Sequence, residues 1–539
     1  MDDRGERNTP DPTCLAEWFR RRARRSPERP AVTFEGRTWT YEEMQSRIES
    51  VSDILSKGGA RAGDRVGYLG FNHPDTLVLL FATARIGAIF VPLNHRLAIP
   101  ELVSIIADAK PHSLVADERH AAVLDQARER LPCERYFRIG GAVGVWEAID
   151  ETINEAGSET SADETTASAT NRTAPDDVVL LLYTSGTTGL PKGVTISHRN
   201  IWASNVATIL ASEFNSRDVA LNCAPLFHAA GLCSISLPIL MAGGHLLLLR
   251  GFETGEYLKM LEQHRATVSI MVPTMMLFVS QHERFDSADL SALRLLSTGG
   301  APVPATLLRA YHARHIPVSQ SYGLTESTSA ATFLEIEHAF QKLGSCGRAG
   351  LTMDMQLTDG DGRVIDQPFV RGEICLRGPS VAPGYWNRPA ETAASFDRDG
   401  WFHTGDGAYF DAQGFYYICD RIKDMIISGG ENIYPAEVEN VLCAHPAIAD
   451  VAIIGRPDAR WGERVIAIAA LRPETSLSLE ELTNFAQTQL ARYKLPSELH
   501  LVEAVPRSAA GKIVKTLLRR RFVADGPPDT DIVLPGPAV

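Results

Sequence analysis

Eight cysteines, Cys14, Cys133, Cys223, Cys233, Cys346, Cys375, Cys419 and Cys443, include no C-x-x-C pair, so neither a disulfide framework nor a zinc site is indicated. A reducing cytoplasm fits that usage. Basic charge is in deficit: 53 Lys and Arg stand against 66 Asp and Glu, a formal charge of −13, which argues against nucleic acid as an obligate partner. Long apolar runs are lacking too. The most apolar stretch, Thr76 to Leu93, carries Arg85, Gly87 and Pro92 and reads as a buried helix followed by a buried strand rather than a membrane span. The opening residues MDDRGERNTPDPT are acidic and polar where a signal peptide needs a basic start and an apolar run, so a cytoplasmic location is expected.

What is present is the balance of a globular protein, 44% apolar and 22% charged over 539 residues, long enough for one large domain and at least one smaller one. Short β-rich runs alternate with helical patterns: Arg65 to Leu69, then a helix over Thr76 to Arg85, then Ile89 to Pro92, the rhythm of βα units around a mainly parallel sheet. Leu15 to Arg25, with five arginines, reads as a solvated surface helix, with rest on anionic lipid as the competing reading, so membrane contact is at most peripheral. Glu155 to Asp177 has almost nothing to bury and reads as a surface loop or linker. A buried strand, Val178 to Tyr183, follows. Near the other end, Ser478 and Glu481 form a capping-box pattern before Leu482, Phe485, Ala486 and Leu490 at helical spacing, which with strands at Val451 to Ile454 and Val465 to Ala470 suggests a compact α+β unit.

The strongest local signal is the run from Tyr183 to Gly193, YTSGTTGLPKG, directly behind that strand. Its glycines let backbone N–H groups converge on an anion, its hydroxyls add donors and Lys192 adds charge. It reads as a phosphate-binding loop, with Thr184, Ser185, Gly186, Thr187, Thr188, Gly189 and Lys192 as the contacts, although it matches neither G-x-x-x-x-G-K-[ST] nor G-x-G-x-x-G. His312 and His315 form an H-x-x-H with no third ligand at metal spacing and read as surface helix.

Taken with that loop, further motifs make the chain resemble the AMP-forming adenylating superfamily of acyl-CoA synthetases, peptide-synthetase adenylation domains and firefly-type luciferases. In family order they are PLFHAAG at 225–231, STGGAP at 297–302, YGLTE at 322–326, GWFHTGD at 400–406, DRIKD at 420–424, SGGEN at 428–432 and PRSAAGK at 506–512. The resemblance implies an α/β fold: a large N-terminal adenylate-forming domain of βα-type subdomains over residues 1–421 and a small mobile α+β domain over 422–539. It implies ATP, Mg²⁺ and coenzyme A, with Glu326 as the Mg²⁺ ligand, since a hard cation favours carboxylate oxygen beside phosphates. Thr325 would donate to the α-phosphate. Gly300, Ala301 and Pro302 would line the adenine, Tyr322 and Gly323 would stack on it and border it, and Asp406, assisted by Arg421, would accept from the ribose hydroxyls, which an acceptor-only carboxylate suits. Lys512 would bring its ammonium between carboxylate and α-phosphate as negative charge accumulates. His228 would lie beside the reacting carboxylate, and Lys192 would guide pyrophosphate.

The same resemblance implies a swing about a hinge near Lys423 that withdraws Lys512 and brings in Ser428, Gly429, Gly430 and Glu431 to pass a pantetheine arm. The expected activity is an ATP-dependent carboxylic acid:CoA ligase, forming acyl-AMP and then acyl-CoA, on a medium- or long-chain fatty acid or an aryl acid. A stand-alone adenylating enzyme serving a carrier protein or another nucleophile is the alternative, and a non-catalytic nucleotide-binding protein is disfavoured by the intact Lys512 and Glu326. A homodimer is left open.

Overall fold

The computed structural model describes residues 10–149, 173–184, 191–301, 303–421, 424–428, 431–458, 460–508 and 512–523. Among these the strands form four sheets. The first runs Gly384–Tyr385, Lys192–Ser197, Val178–Thr184, Ile89–Leu93, Arg65–Leu69, Ser113–Ala116, Arg135–Arg138, Glu147–Ala148, and every join from Val178–Thr184 onward is parallel. The second places Val318–Gly323, Leu295–Thr298, Val268–Met271, Val219–Asn222, His245–Leu248 and Pro30–Phe34 side by side in parallel, with antiparallel strands at both edges. These are the expected βα units.

Helix Pro74–Ile86 shows why the run at Thr76 is apolar all round. Every residue from Pro74 to Ala84 is buried, because the helix sits in the core shared by both large sheets and has no solvent face. Gly87, at φ +74°, ends it in a left-handed turn that a side chain would strain. Helix Leu15–Arg25 corrects the lipid reading. Its apolar face is already covered, with Phe19 and Trp18 packed on Phe81 at ring separations of 4.4 and 5.3 Å, while Arg22 donates to Met241 O at 2.7 Å. Of its arginines Arg21, Arg24 and Arg25 are exposed, and Arg21 still donates to Glu17 at 2.7 Å.

The third sheet departs from the βα rhythm. Val364–Ile365, Asp354–Thr358, Gly372–Arg377, Phe402–Phe410 and Tyr416–Arg421 are antiparallel throughout. A tight turn at Asp411 to Gly414 joins the last two strands directly, while strand Gly384–Tyr385 and helix Pro389–Ser395 intervene between Gly372–Arg377 and Phe402–Phe410, so no regular βα rhythm announces the sheet in the sequence. The fourth sheet holds Glu431–Ile433, Ile426–Ser428, Gly462–Leu471 and Ile448–Asp458 in antiparallel order, with Glu498–Leu501 added in parallel. The Ser478–Glu481 capping box forms at the start of helix Leu479–Ala486, which stops before Leu490. His312 lies in helix Ala305–Ala313, but His315 falls beyond its end at φ +56°, so the two do not share a helix face. Of the loop expected at Glu155 to Asp177, only the last residues are described. No described helix is long and apolar enough to cross a membrane.

Candidate active site

Strand Val318–Gly323 carries Tyr322 as its next-to-last residue, and the chain then turns through the short helix Thr325–Ser327, which presents Glu326. The turn is tight: a Cβ on Gly323 would lie 2.0 Å from Ser329 O. Tyr385, on a two-residue strand against Lys192–Ser197, donates its hydroxyl to Glu326 Oε1 at 2.9 Å. Lys192 Nζ lies 5.4 Å from the same ring. A phenol therefore joins the phosphate-loop lysine to the carboxylate expected to meet the metal. Burial first, then the Glu326 charge, pushes the Tyr385 phenol up, so it remains a donor at neutral pH.

Tyr322 is buried and donates to Asp406 Oδ2 at 2.8 Å, bridging the second and third sheets. Burial and the Asp406 charge hold this phenol well above its ordinary range, which keeps Asp406 an acceptor facing a fixed donor. The backbone around Asp406 is set by Glu373, whose Oε1 accepts from Gly405 N at 2.9 Å and whose Oε2 bonds His403 Nδ1 at 2.9 Å. Glu373, Cys375 and His403 bring ligand-type atoms within 4.8 Å of one another. Both carboxylate oxygens are spent on Gly405 and His403, so the group reads as a brace for the 403–406 segment.

On the acyl side the pattern differs. His228 precedes the short helix Ala229–Gly231 and is half-buried, with its Nε2 shielded from solvent and without a hydrogen-bond partner among the described residues. It is not the satisfied core residue that an apolar context would suggest. Burial lowers its pKa to about 4, and the charges of Arg96, Lys512 and His95 push the same way. The Phe227 ring lies 4.6 Å from His228 and 5.1 Å from His95. Thr298, fully buried at the end of its strand, also leaves Oγ1 unpartnered. Next to it Gly299 passes so close to Ser321 O that a Cβ would sit at 2.7 Å, and Gly300 turns at φ +83°.

Lys512 sits in a turn closed by Ser508 N donating to Lys512 O at 2.7 Å and Lys512 N donating to Ser508 Oγ at 3.2 Å. Arg507 anchors that turn to Asp450 at 2.8 Å.

Ser185, Gly186, Thr187, Thr188, Gly189, Pro302, Lys423, Gly429 and Gly430 lie outside the described residues, as does the side chain of Arg421. Thr184 pairs with Lys192 where the phosphate loop leaves its strand, and Ser428 pairs with Glu431 across the expected pantetheine hairpin. Thr325 and Ala301 lie half-buried beside Glu326 and Gly300. Reasoning from sequence missed Tyr385, Glu373, His95 and Arg96. The last two follow the carboxyl end of parallel strand Ile89–Leu93, where open α/β sheets place ligand-binding loops, so that rule was the available signal.

A carboxylate and a lysine that share one phenol, a second phenol-held carboxylate and a half-buried imidazole are groups that suit phosphoryl and acyl chemistry. Residues 19–386 match the family described as AMP-binding enzyme, and residues 437–512 match its C-terminal domain. A feruloyl-CoA synthase from Amycolatopsis is 41% identical over 508 residues, covering 94% of this chain and 99% of the relative. A long-chain-fatty-acid–CoA ligase of Mycobacterium tuberculosis is 36% identical, covering 90% of this chain and 94% of the relative. The crystal structure of an anthranilate CoA ligase with anthranoyl-AMP superposes with a TM-score of 0.86 at 25% identity, covering 94% and 96% of the two chains. The chain therefore belongs to the AMP-binding, adenylate-forming enzymes and is an ATP-dependent acid:CoA ligase of aryl or fatty acids.

Proposed function

We propose that the enzyme activates an aryl carboxylic acid, using Lys512 for adenylation and the His228 side of the site for both half-reactions. The aryl choice is supported by the higher identity to the feruloyl-CoA synthase, 41% against 36% for the fatty-acid ligase. The observation that carries the mechanism is the pair of phenols that hold the candidate nucleotide-side carboxylates, Tyr322 on Asp406 at 2.8 Å and Tyr385 on Glu326 at 2.9 Å.

In the first step the acid's carboxylate oxygen attacks the α-phosphorus of ATP and the bond to pyrophosphate breaks. Two anions approach, so Lys512 would neutralise the charge that builds between them, in a site where exclusion of water strengthens each interaction. Thr325 would donate to the α-phosphate. Tyr322 and Asp406 would hold adenine and ribose, with Gly300, Ala301, Pro302 and Gly323 shaping the purine slot and Arg421 assisting at the ribose. Lys192 and the loop Thr184 to Gly189 would escort the departing pyrophosphate. Mg²⁺ fits Glu326, a hard donor whose other oxygen is already oriented by Tyr385; when bound, the ion supplies charge neutralisation on the phosphates.

In the second step the thiol sulfur of coenzyme A bonds to the acyl carbon, the C–O bond to AMP breaks with its electron pair going to the AMP phosphate, and the thiol proton passes to solvent. A neutral His228 puts no fixed charge beside that carbon, and its Nε2 can hydrogen-bond the carbonyl region. We place the domain boundary at 421/422, with a swing near Lys423 exchanging Lys512 for Ser428, Gly429, Gly430 and Glu431. The cytoplasm is the compartment that suits an enzyme whose eight cysteines are free.

The test is pyrophosphate release with a panel of aryl and fatty acids, with and without coenzyme A. Thioester formation on an aryl acid with kcat/KM above every fatty acid supports the reading; the reverse ranking overturns the aryl choice.

A further inference from the structure

Helix His198–Ser212 buries three polar residues in succession: Ser204 at 1%, Asn205 at 0% and Thr208 at 2% exposure. Ser204 Oγ, both amide atoms of Asn205 and Thr208 Oγ1 all lack hydrogen-bond partners. Residues three and four apart share a helix face, so these groups form one polar stripe. Elsewhere the same helix is well satisfied. The Asn200 amide donates to Pro379 O and Val381 O, and Ala203 O accepts from Thr352. The deficit is thus local to one stretch of the helix.

The helix borders the segment that carries His228. It touches the wide turn Leu232–Ser236, which continues the segment begun at His228, and strand Ala330–Phe333, the antiparallel partner of the strand carrying Tyr322. Ser234 of that turn and Ser329, just before that strand, meet hydroxyl to hydroxyl at 2.9 Å. His228 Nε2 is orphaned as well. Buried polar atoms are almost always paired in folded proteins, so a cluster of orphans on the acyl side points to a ligand that supplies the missing bonds.

We propose that Ser204, Asn205 and Thr208 recognise the far end of the acid, and that the enzyme's substrate is an aryl acid bearing a hydroxyl remote from its carboxyl group. A hydroxyl matches because it both donates and accepts, as do Asn and the Ser and Thr hydroxyls. An apolar tail would leave every group of the stripe unpaired, and sites built to bond a substrate hydroxyl reject the analogue that lacks it strongly. This inference rests on the aryl-acid reading above.

The test uses 4-hydroxycinnamate and 4-methylcinnamate, equal in size, with kcat/KM for coenzyme A-dependent pyrophosphate release measured on the full-length enzyme. The wild type is expected to favour the hydroxyl acid by about 100-fold or more. Asn205→Leu should collapse that ratio toward one. Thr208→Val, which keeps volume and protects against a folding failure, should lower it by about 10-fold. Leu210→Ala, at an exposed position of the same helix, should leave the ratio alone. A wild-type ratio near one, or a ratio unchanged in both stripe variants, overturns the proposal and assigns the stripe to ordered water. Turnover of fatty acids with neither cinnamate accepted overturns the aryl reading instead, and the stripe is then judged by the same ratio on 10-hydroxydecanoate against undecanoate.

Discussion

The proposed nucleotide side and the proposed acyl side of this site are built on opposite plans. On the first the groups already hold each other: Tyr322 with Asp406, Tyr385 with Glu326, Glu373 with Gly405 and His403. On the second His228 and the stripe from Ser204 to Thr208 carry polar atoms with no partner among the described residues. The difference follows from what each side must do. ATP is common to every member of the family, so its contacts can be preorganised by bonds within the protein, which spares reorganisation when charge develops. The acid is what distinguishes one member from another, and its contacts are completed only by the acid itself.

Breaking the nucleotide side should produce the larger effects. Glu326→Gln keeps the shape but halves the acceptor capacity and removes the charge, and adenylation is expected to fall by about 10²–10³-fold, read as pyrophosphate exchange at saturating ATP. Tyr385→Phe leaves Glu326 in place but unoriented, which removes a hydrogen bond to a charged group; a fall of about 10-fold in kcat/KM for ATP is expected, with kcat/KM for the acid far less changed. An equal fall for both substrates would show that the tyrosine serves general packing instead.

Acid should sharpen the contrast through stability. His228, His95, His198 and His245 are each lowered by burial from an ordinary 6.5 to about 4. Between those values the unfolded chain binds more protons than the native one, so stability rises with pH across about 4 to 6.5 and is lost on acidification through that window. Denaturant melts at pH 7 and 5 should show the native state weaker at pH 5, and replacing His228 with Gln should reduce that loss; an identical pH slope in the variant would contradict a neutral His228.

The candidate site could be proposed from sequence because its chemistry is written in short runs: a hydroxyl- and glycine-rich loop ending at Lys192, a Thr-Glu pair at 325–326, a Gly-Lys pair at 511–512. Helix Pro74–Ile86 and strand Arg65–Leu69 were equally plain, since burial on all sides leaves continuous apolar runs. What escaped depends on distance in sequence. Tyr385 reaches Glu326 across 59 residues, and Glu373 reaches Gly405 across 32, through an antiparallel sheet that no helix rhythm marks. Helix Leu15–Arg25 was legible as a helix, but the cover that Phe81 gives its apolar face, against the competing lipid reading, lies too far along the chain to be seen in the sequence. The stripe at Ser204, Asn205 and Thr208 looks like an ordinary polar helix face, and only burial shows that it faces inward.

The measurement that bears most directly on the two-step account separates the half-reactions of Lys512→Ala. Exchange of labelled pyrophosphate into ATP in the presence of the acid should fall by about 10²–10³-fold, as expected when a charge that serves only the adenylation transition state is removed. Conversion of supplied acyl-AMP and coenzyme A to thioester should proceed at close to the wild-type rate. Equal loss of both reactions would contradict the assignment of this lysine to the first step alone.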